Sequence, residues 1–194
     1  GTVMVKDIRS GSSSSSPSHF TAVGNTLYFW ANDGTNDFEL WKSDGTTSGT
    51  VMVKDINSGG SSGLNYLTAV GNTLYFRADD GINGGELWKS DGTASGTVMV
   101  KNIRSGSSGG NIKYITAIGN TLYFSASDGT SGDELWKSDG TASGTVMVKD
   151  IRVPSGSSVP NELTVVGSTL YFRADDGTNG YELWKSDGTA SGTV

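Results

Sequence analysis

The octapeptide ELWKSDGT at residues 86–93 decides the fold, because the chain contains it four times. The other copies begin at Glu39, Glu134 and Glu182, so successive copies are 47, 48 and 48 residues apart. A second segment, GTVMVKDI or GTVMVKNI, begins at residues 1, 49, 96 and 144. A fixed period in this range is the signature of a repeat architecture. The sequence therefore predicts four copies of one structural unit.

Each unit predicts four short β-strands joined by tight turns. In the second unit, LTAV (67–70) and TLYFRA (73–78) flank Gly71-Asn72, and Gly-Asn between two apolar runs indicates a β-hairpin. The third strand is ELWKS and the fourth is TVMVKDI, each preceded by a turn rich in Asp and Gly. No window of the sequence shows the 3.6-residue period of a helix. Each unit is therefore predicted to be an antiparallel meander.

A four-stranded antiparallel sheet at this spacing is typical of a β-propeller blade, and a solenoid is the rival architecture. The chain opens on strand four of one unit and ends after strand three of another. We therefore predict an all-β, four-bladed β-propeller, closed by pairing of the N-terminal strand with the last blade. Half of a two-chain, eight-bladed ring is the alternative, since identical interfaces permit either assembly. The predicted single repeat domain covers 1–194, with blades at about 18–56, 65–103, 113–151 and 161–194 plus 1–8.

Charge and composition exclude several classes of function. The chain has 14 Lys and Arg against 20 Asp and Glu, a net charge of -6, whereas nucleic-acid binding needs a clustered basic face. No apolar run approaches the ~20 residues that span a bilayer, and the first residues lack the pattern of a signal peptide. The chain has no cysteine and one histidine, His19, so groups suited to catalysis are scarce. We expect no nucleic-acid binding, no membrane insertion and no enzymatic activity.

The repeated motif resembles the defining motif of the bacterial ELWxxDGT repeat proteins, and the similarity covers the whole chain in four copies. The resemblance implies a propeller-like array from a large secreted or cell-surface bacterial protein, without an assigned activity. It therefore implies an extracellular or cell-surface location. Because the chain begins and ends inside a repeat, we interpret it as an excised or engineered module, or as a natural domain trimmed at a turn.

The connections from strand four to the next strand one vary most between units, and they share one face with the loops between strands two and three. Loops on a rigid scaffold are the usual place for binding residues. His19 and Phe20 are candidates on this face. The predicted ligand-binding residues are Trp30, Phe38, Tyr66, Arg77, Tyr114, Arg173 and Tyr181. They suggest a glycan or a protein surface as partner, and the alternative is that the connections vary without function.

The loops between strands two and three are also rich in oxygen ligands, which calcium prefers. The predicted calcium ligands are Asp79, Asp80, Asn83, Glu86, Asp175, Asp176, Asn179 and Glu182. Plain turn formation is the alternative, because Asp, Asn and Gly are common turn residues. The motif tryptophans, in contrast, are predicted to pack between blades. Three functions follow: a scaffold or interaction module, a glycan-binding module, or a calcium-stabilised module; no cofactor other than calcium is expected.

Overall fold

The computed structural model describes residues 1–154 and 156–194, and all regular secondary structure in these ranges is β-strand. The first sheet contains β1 (Ser18–Val23), β2 (Thr26–Asn32), β3 (Phe38–Ser43) and β4 (Val51–Lys54). The second contains β5 (Asn65–Val70), β6 (Thr73–Asp79), β7 (Gly85–Ser90) and β8 (Val98–Lys101). The third contains β9 (Lys113–Ile118), β10 (Thr121–Ser127), β11 (Asp133–Ser138) and β12 (Val146–Lys149). The fourth contains β13 (Asn161–Val166), β14 (Thr169–Asp175) and β15 (Tyr181–Ser186).

Every sheet is an antiparallel meander, so strands that follow each other in sequence are paired. The central pair keeps an unbroken register in each unit, as between Leu74 and Ser90 at one end and Asp79 and Gly85 at the other. The predicted all-β architecture of antiparallel sheets is therefore confirmed. No helix that could span a bilayer occurs in the part of the chain that the structure describes.

The Asp-Gly-Thr turns fix the reversal between strands three and four. In the second unit, Asp91 Oδ1 accepts hydrogen bonds from the backbone N–H of Thr93 at 2.9 Å and from its hydroxyl at 2.7 Å. Gly92 follows with a φ of 89°, a left-handed conformation that side chains disfavour. The other three copies repeat the same bonds, so this Asp has the turn-forming role predicted for it.

The hydrophobic core lies between the sheets. Tyr28 and Leu40 of the first sheet pack in one buried cluster with Leu74, Phe76 and Trp88 of the second. Sheets two and three, and sheets three and four, share equivalent clusters. The prediction that the motif tryptophans pack between units is confirmed at Trp88, Trp136 and Trp184. The innermost strands β1, β5, β9 and β13 also contact each other in that order.

Closure of a four-bladed ring by the N-terminal strand is not confirmed. The fourth sheet has three strands in the described residues, and Val194 exchanges two backbone hydrogen bonds with Lys185 at its edge. Residues 1–8 instead lie against the first sheet, where Lys6 Nζ donates a 2.7 Å hydrogen bond to the carbonyl of Thr50. No contact comparable to those between the other inner strands joins β13 to β1 within 1–154 and 156–194. Within these residues, the first and fourth sheets therefore share no strand pairing.

Candidate functional site

A strained residue occupies the second position of every innermost strand. His19, Tyr66, Tyr114 and Glu162 have φ values of 56°, 54°, 57° and 55°, although none is glycine. The pairing register with the next strand shifts at each of these positions, which marks a β-bulge. A bulky residue with positive φ is unusual and points to a local constraint. We call these four residues the bulge row.

Hydrogen bonds inside the inner strands hold the bulges in place. Thr68 Oγ1 donates to the carbonyl of Tyr66 at 3.3 Å, and Thr164 Oγ1 donates to the carbonyl of Glu162 at 3.1 Å. Thr68 Oγ1 also lies 3.0 Å from the carbonyl of Ile115, so the same hydroxyl connects β5 to β9. The bulges at Tyr66 and Glu162 are therefore held by a threonine two residues further along the same strand.

The bulge row lies along the edge where neighbouring inner strands meet. The rings of Tyr66 and Tyr114 are 5.8 Å apart across two units, and Tyr114 is 40% exposed. Partial burial, together with the nearby Tyr114, raises the pKa of the Tyr66 hydroxyl above its usual value. A groove of about 270 Å³ between β9 and β13 is lined by Tyr114 on one strand and by Glu162 on the other. This edge therefore combines accessible aromatic, hydroxyl and carboxylate groups.

The remaining predicted ligand-binding residues form three local groups beside the row. Trp30 contacts Phe38 and His19, with ring centroids 4.5 and 5.5 Å away. The guanidinium of Arg173 lies 3.8 Å from the ring centre of Tyr181, a cation–π contact. Arg77 Nη1 donates a 2.8 Å hydrogen bond to the carbonyl of Gly63, so this side chain also supports a variable connection.

The structure places one candidate, Phe20, against the first sheet and not in the bulge row. Phe20 is 59% exposed and lies beside Phe29 on the first sheet, with ring centroids 5.9 Å apart.

Glu162 was missed as a candidate, although it occupies the same repeat position as His19, Tyr66 and Tyr114. Alignment of the four units at the LTAV strand would have identified it, because all four residues directly precede that strand's central apolar run.

The predicted calcium ligands in the loops are engaged in turn formation. Asp80 Oδ1 accepts the backbone N–H groups of Ile82 and Asn83 at 2.9 and 2.8 Å, and Asp79 Oδ1 accepts that of Gly81 at 2.8 Å. The fourth unit repeats this pattern with Asp175, Asp176 and Asn179. Hydrogen bonds from Asn179 and Thr178 lower the pKa of Asp176.

The two glutamates of the predicted calcium set do not join the loop aspartates. Glu86 is fully buried, and its carboxylate accepts the backbone N–H groups of Ile103 and Arg104 at 3.0 and 3.2 Å. Glu182 lies exposed on β15. Within 1–154 and 156–194, no three His, Cys, Asp or Glu side chains are grouped so that they could hold a metal ion. Calcium binding stays a prediction.

The buried glutamate of the ELW motif has a role that the sequence analysis did not identify. Glu39 accepts the backbone N–H groups of Ile56 and Ser62 at 3.0 and 3.1 Å, and Glu134 accepts those of Ile151 and Ser158, both at 2.9 Å. These donors belong to the connection that leads to the next inner strand. Burial raises the pKa of Glu39 and Glu86 to about 7. The glutamate therefore ties each variable connection, and with it the next bulge, to the preceding sheet.

The structural comparisons agree with a propeller fold. Puromycin hydrolase matches with a TM-score of 0.60 at 15% identity, over 92% of this chain and 28% of that chain. A mutant of puromycin hydrolase complexed with PGG matches with a TM-score of 0.58 at 15% identity, over 84% of this chain and 25% of that chain. A structure from a study of two prolyl endopeptidases matches with a TM-score of 0.56 at 12% identity, over 88% of this chain and 24% of that chain.

These matches are β-propeller domains of prolyl oligopeptidase-like enzymes, and the chain spans about a quarter of the length of each matched protein. At such low identity the likeness shows the fold alone. No protein-family model matches the chain, and no curated protein matches it by sequence. The chain therefore has a β-propeller-type fold.

Proposed function

We propose that the chain is a non-enzymatic β-propeller scaffold that binds a partner through the bulge row. The observation that carries the proposal is one strained backbone conformation that holds His, Tyr, Tyr and Glu in successive units. Buried motif positions keep one residue type in every unit, as Leu40, Leu87 and Leu135 do. Backbone strain clusters at ligand-binding positions, where the surrounding structure enforces it. The constant scaffold therefore presents variable chemistry at one edge.

The chain's inventory of reactive groups supports a role without catalysis. His19 is the one histidine in the sequence, and its ring packs against Trp30. Its Nδ1 lies 3.0 Å from the hydroxyl of Ser18, which is half-buried. A nucleophile activated by histidine also needs a third group that orients the ring. The resemblance to ELWxxDGT repeat proteins supports a secreted or cell-surface bacterial module, either natural or excised.

A glycan is the ligand class that we propose for the bulge row. The Tyr66 and Tyr114 rings form an adjacent, partly exposed pair, and aromatic rings offer a flat apolar face together with a polar hydroxyl. Glu162 adds a hydrogen-bond acceptor to the lining of the groove that adjoins Tyr114. Flat apolar faces beside hydrogen-bonding groups are the combination that a sugar ring requires.

A glycan array probed with the fluorescently labelled chain tests whether the chain binds a glycan and whether it does so through the bulge row. We expect saturable binding that is lost in the Y66A/Y114A double variant and retained in the Y66F variant, which keeps the ring. The melting temperature of an E162A variant should stay within about 2 °C of the wild type, since an exposed residue contributes little to stability. A large fall in that melting temperature would show that the row is structural and would contradict the proposal. An array without hits would reject the glycan as ligand.

A further inference from the structure

Three junctions between sheets repeat one set of contacts. At each junction a lysine on strand three donates to the carbonyl of a turn glycine in the next unit: Lys42 to Gly92 at 2.8 Å, Lys89 to Gly140 at 2.9 Å, and Lys137 to Gly188 at 2.7 Å. A tyrosine hydroxyl from strand two lies directly beside the same glycine. These tyrosines are Tyr28, Tyr75 and Tyr123.

The two halves of a fourth junction lie at opposite ends of the structure. The fourth sheet carries the next lysine and tyrosine, Lys185 and Tyr171, and the first sheet carries the next turn glycine, Gly45. A Cβ on Gly45 would meet no atom within 4 Å, whereas one on Gly92 would meet Tyr28. Leu183 is 76% exposed, although Leu40, Leu87 and Leu135 at the same position are fully buried. The exposed faces of the first and fourth sheets therefore carry the residues that form the junctions between the other sheets.

The first sheet exposes a residue that the other three sheets bury at the same position. Leu27 is 38% exposed, whereas Leu74, Leu122 and Leu170 at the same position are fully buried. An apolar groove of about 210 Å³ adjoins it, between the N-terminal segment and the first sheet. At the other junctions this face is covered by the preceding sheet's tyrosine and leucine.

Residues 1–8 already occupy the place of an outer strand from a preceding sheet. Their sequence, GTVMVKDI, is that of the segments containing β4 and β12. Lys6 donates to the Thr50 carbonyl at 2.7 Å, as Lys54 does to Thr97 at 2.8 Å and Lys149 does to Thr193 at 2.7 Å. Val3 and Met4 nevertheless remain 80% and 78% exposed. This segment therefore packs on the first sheet without a sheet of its own.

We propose that two copies of the chain associate through these ends, so that residues 4–8 of each copy continue the edge that Val194 begins and pair with β15 of the other. The fourth sheet of each copy then packs on the first sheet of the other, which restores the missing junction twice. The second copy is the occupant because the chain's own inner strands β13 and β1 share no contact like those at the three junctions in the described residues. Four sheets from each copy give eight blades, within the range of known propellers, whereas three copies would exceed it.

The register of the third sheet predicts the contacts of this interface. There Leu135 pairs with Lys149 and Trp136 pairs with Met147. By the same register, Leu183 lies opposite Lys6 of the second copy. The exposed carboxylate of Glu182 gains the backbone N–H of the second copy's Ile8, as Glu134 gains that of Ile151 at 2.9 Å. The side chain of Leu183 would become buried, and the carboxylate of Glu182 would gain a hydrogen-bond donor.

Disulfide trapping between two different variants tests this pairing, because the chain has no cysteine of its own. One chain carries K6C and the other carries L183C, and the two are mixed under mild oxidation. Cβ atoms of directly opposed strand residues are close enough for a disulfide, so we expect a covalent product of about twice 20.2 kDa that joins the two introduced thiols. Closure within one chain cannot produce this product.

A matched pair of chains controls for random collision. Ile82 is 74% exposed, almost as much as Leu183, but lies in a loop of the second unit away from the proposed interface. A mixture of I82C and L183C chains should therefore give at least tenfold less mixed product. Circular dichroism confirms that each variant is folded before the comparison. Equal trapping in the two mixtures, or no mixed disulfide between K6C and L183C, would overturn the proposal.

Discussion

Sheets two and four contain the same ELWKSDGT sequence, yet its residues have opposite environments in the two sheets. Leu87 and Glu86 are fully buried, whereas Leu183 is 76% exposed and Glu182 is also exposed. The second sheet is followed by a further sheet and by the connection that donates hydrogen bonds to Glu86. This difference in burial indicates that the motif is stabilised mainly by the next unit and little by its own strand pairs.

The largest expected difference is between L87A and L183A. L87A removes a fully buried side chain from the cluster between sheets two and three, and we expect it to lower the free energy of unfolding by about 3 kcal/mol. L183A should change it by less than about 0.5 kcal/mol in dilute solution, because Leu183 is largely exposed there. Urea unfolding of both variants checks this. Equal losses would show that the motif is stabilised within its own sheet.

The glutamates give the second comparison. E86A leaves the backbone N–H groups of Ile103 and Arg104 without their buried acceptor, which should cost about 2 kcal/mol. E182A is the matched control, and we expect less than about 0.5 kcal/mol because its carboxylate is exposed. The same unfolding measurement applies, and amide exchange of the 103–110 connection should accelerate in E86A alone. An unchanged exchange rate there would contradict the tethering role.

The turn glycines give a smaller contrast. G92A and G45A both place a side chain at a φ of 89°, which should cost about 1 kcal/mol in each variant. G92A must also displace the Tyr28 hydroxyl, whereas the position at Gly45 is open, so we expect G92A to be the more destabilising by about 1 kcal/mol. Thermal unfolding at low protein concentration measures the difference. A larger loss in G45A would mean that the open end is packed against something in the dilute chain.

The pH dependence of stability sharpens the comparison further. Burial raises the folded-state pKa of Glu39 and Glu86 from 4.5 to about 7, so the folded chain binds more protons than the unfolded chain between these values. This contribution to stability is full below pH about 4.5 and is lost as the pH rises through about 7. We expect a lower urea midpoint at pH 8 than at pH 5, with a reduced dependence in E86Q. A midpoint that rises from pH 5 to pH 8 would contradict the burial of these glutamates.

The smallest expected effect concerns calcium. The loop carboxylates of Asp80 and Asp176 already accept two backbone N–H groups each and a side-chain amide from Asn83 and Asn179. We therefore expect equal melting temperatures in calcium and in chelator, since a ligand of the native state would raise the value. A calcium-dependent rise that disappears in D80A would instead establish the metal site predicted from the sequence.

The sequence predicted the local architecture because its signals are local. Gly71-Asn72 indicated a hairpin, and β5 and β6 pair directly across it, with Val70 opposite Thr73. Trp88, Trp136 and Trp184 were correctly assigned to the space between units, because a large aromatic residue repeated in every copy is usually part of the core. The Asp-Gly-Thr turns likewise follow from the preference of Asp for nearby backbone N–H groups.

Features that depend on contacts between distant parts of the chain were harder to predict from the sequence. Repeat identity cannot distinguish whether residues 1–8 pair with β15 or pack against the first sheet, because the segment makes both kinds of contact when it belongs to an inner unit. The buried role of Glu86 was missed, because a glutamate beside an acidic loop also fits a metal ligand. The bulges at Tyr66 and Tyr114 were not predicted, because their positive φ values occur at residues that ordinarily avoid this conformation.

The molar mass of the chain in solution, measured by light scattering during size-exclusion chromatography, tests the central claim that the two ends are complementary. We predict a species of about twice 20.2 kDa at high protein concentration that dissociates on dilution, and a shift to 20.2 kDa at all concentrations in L183D. The I82D control should retain the larger mass. A mass of 20.2 kDa for the wild-type chain at every concentration would contradict the account.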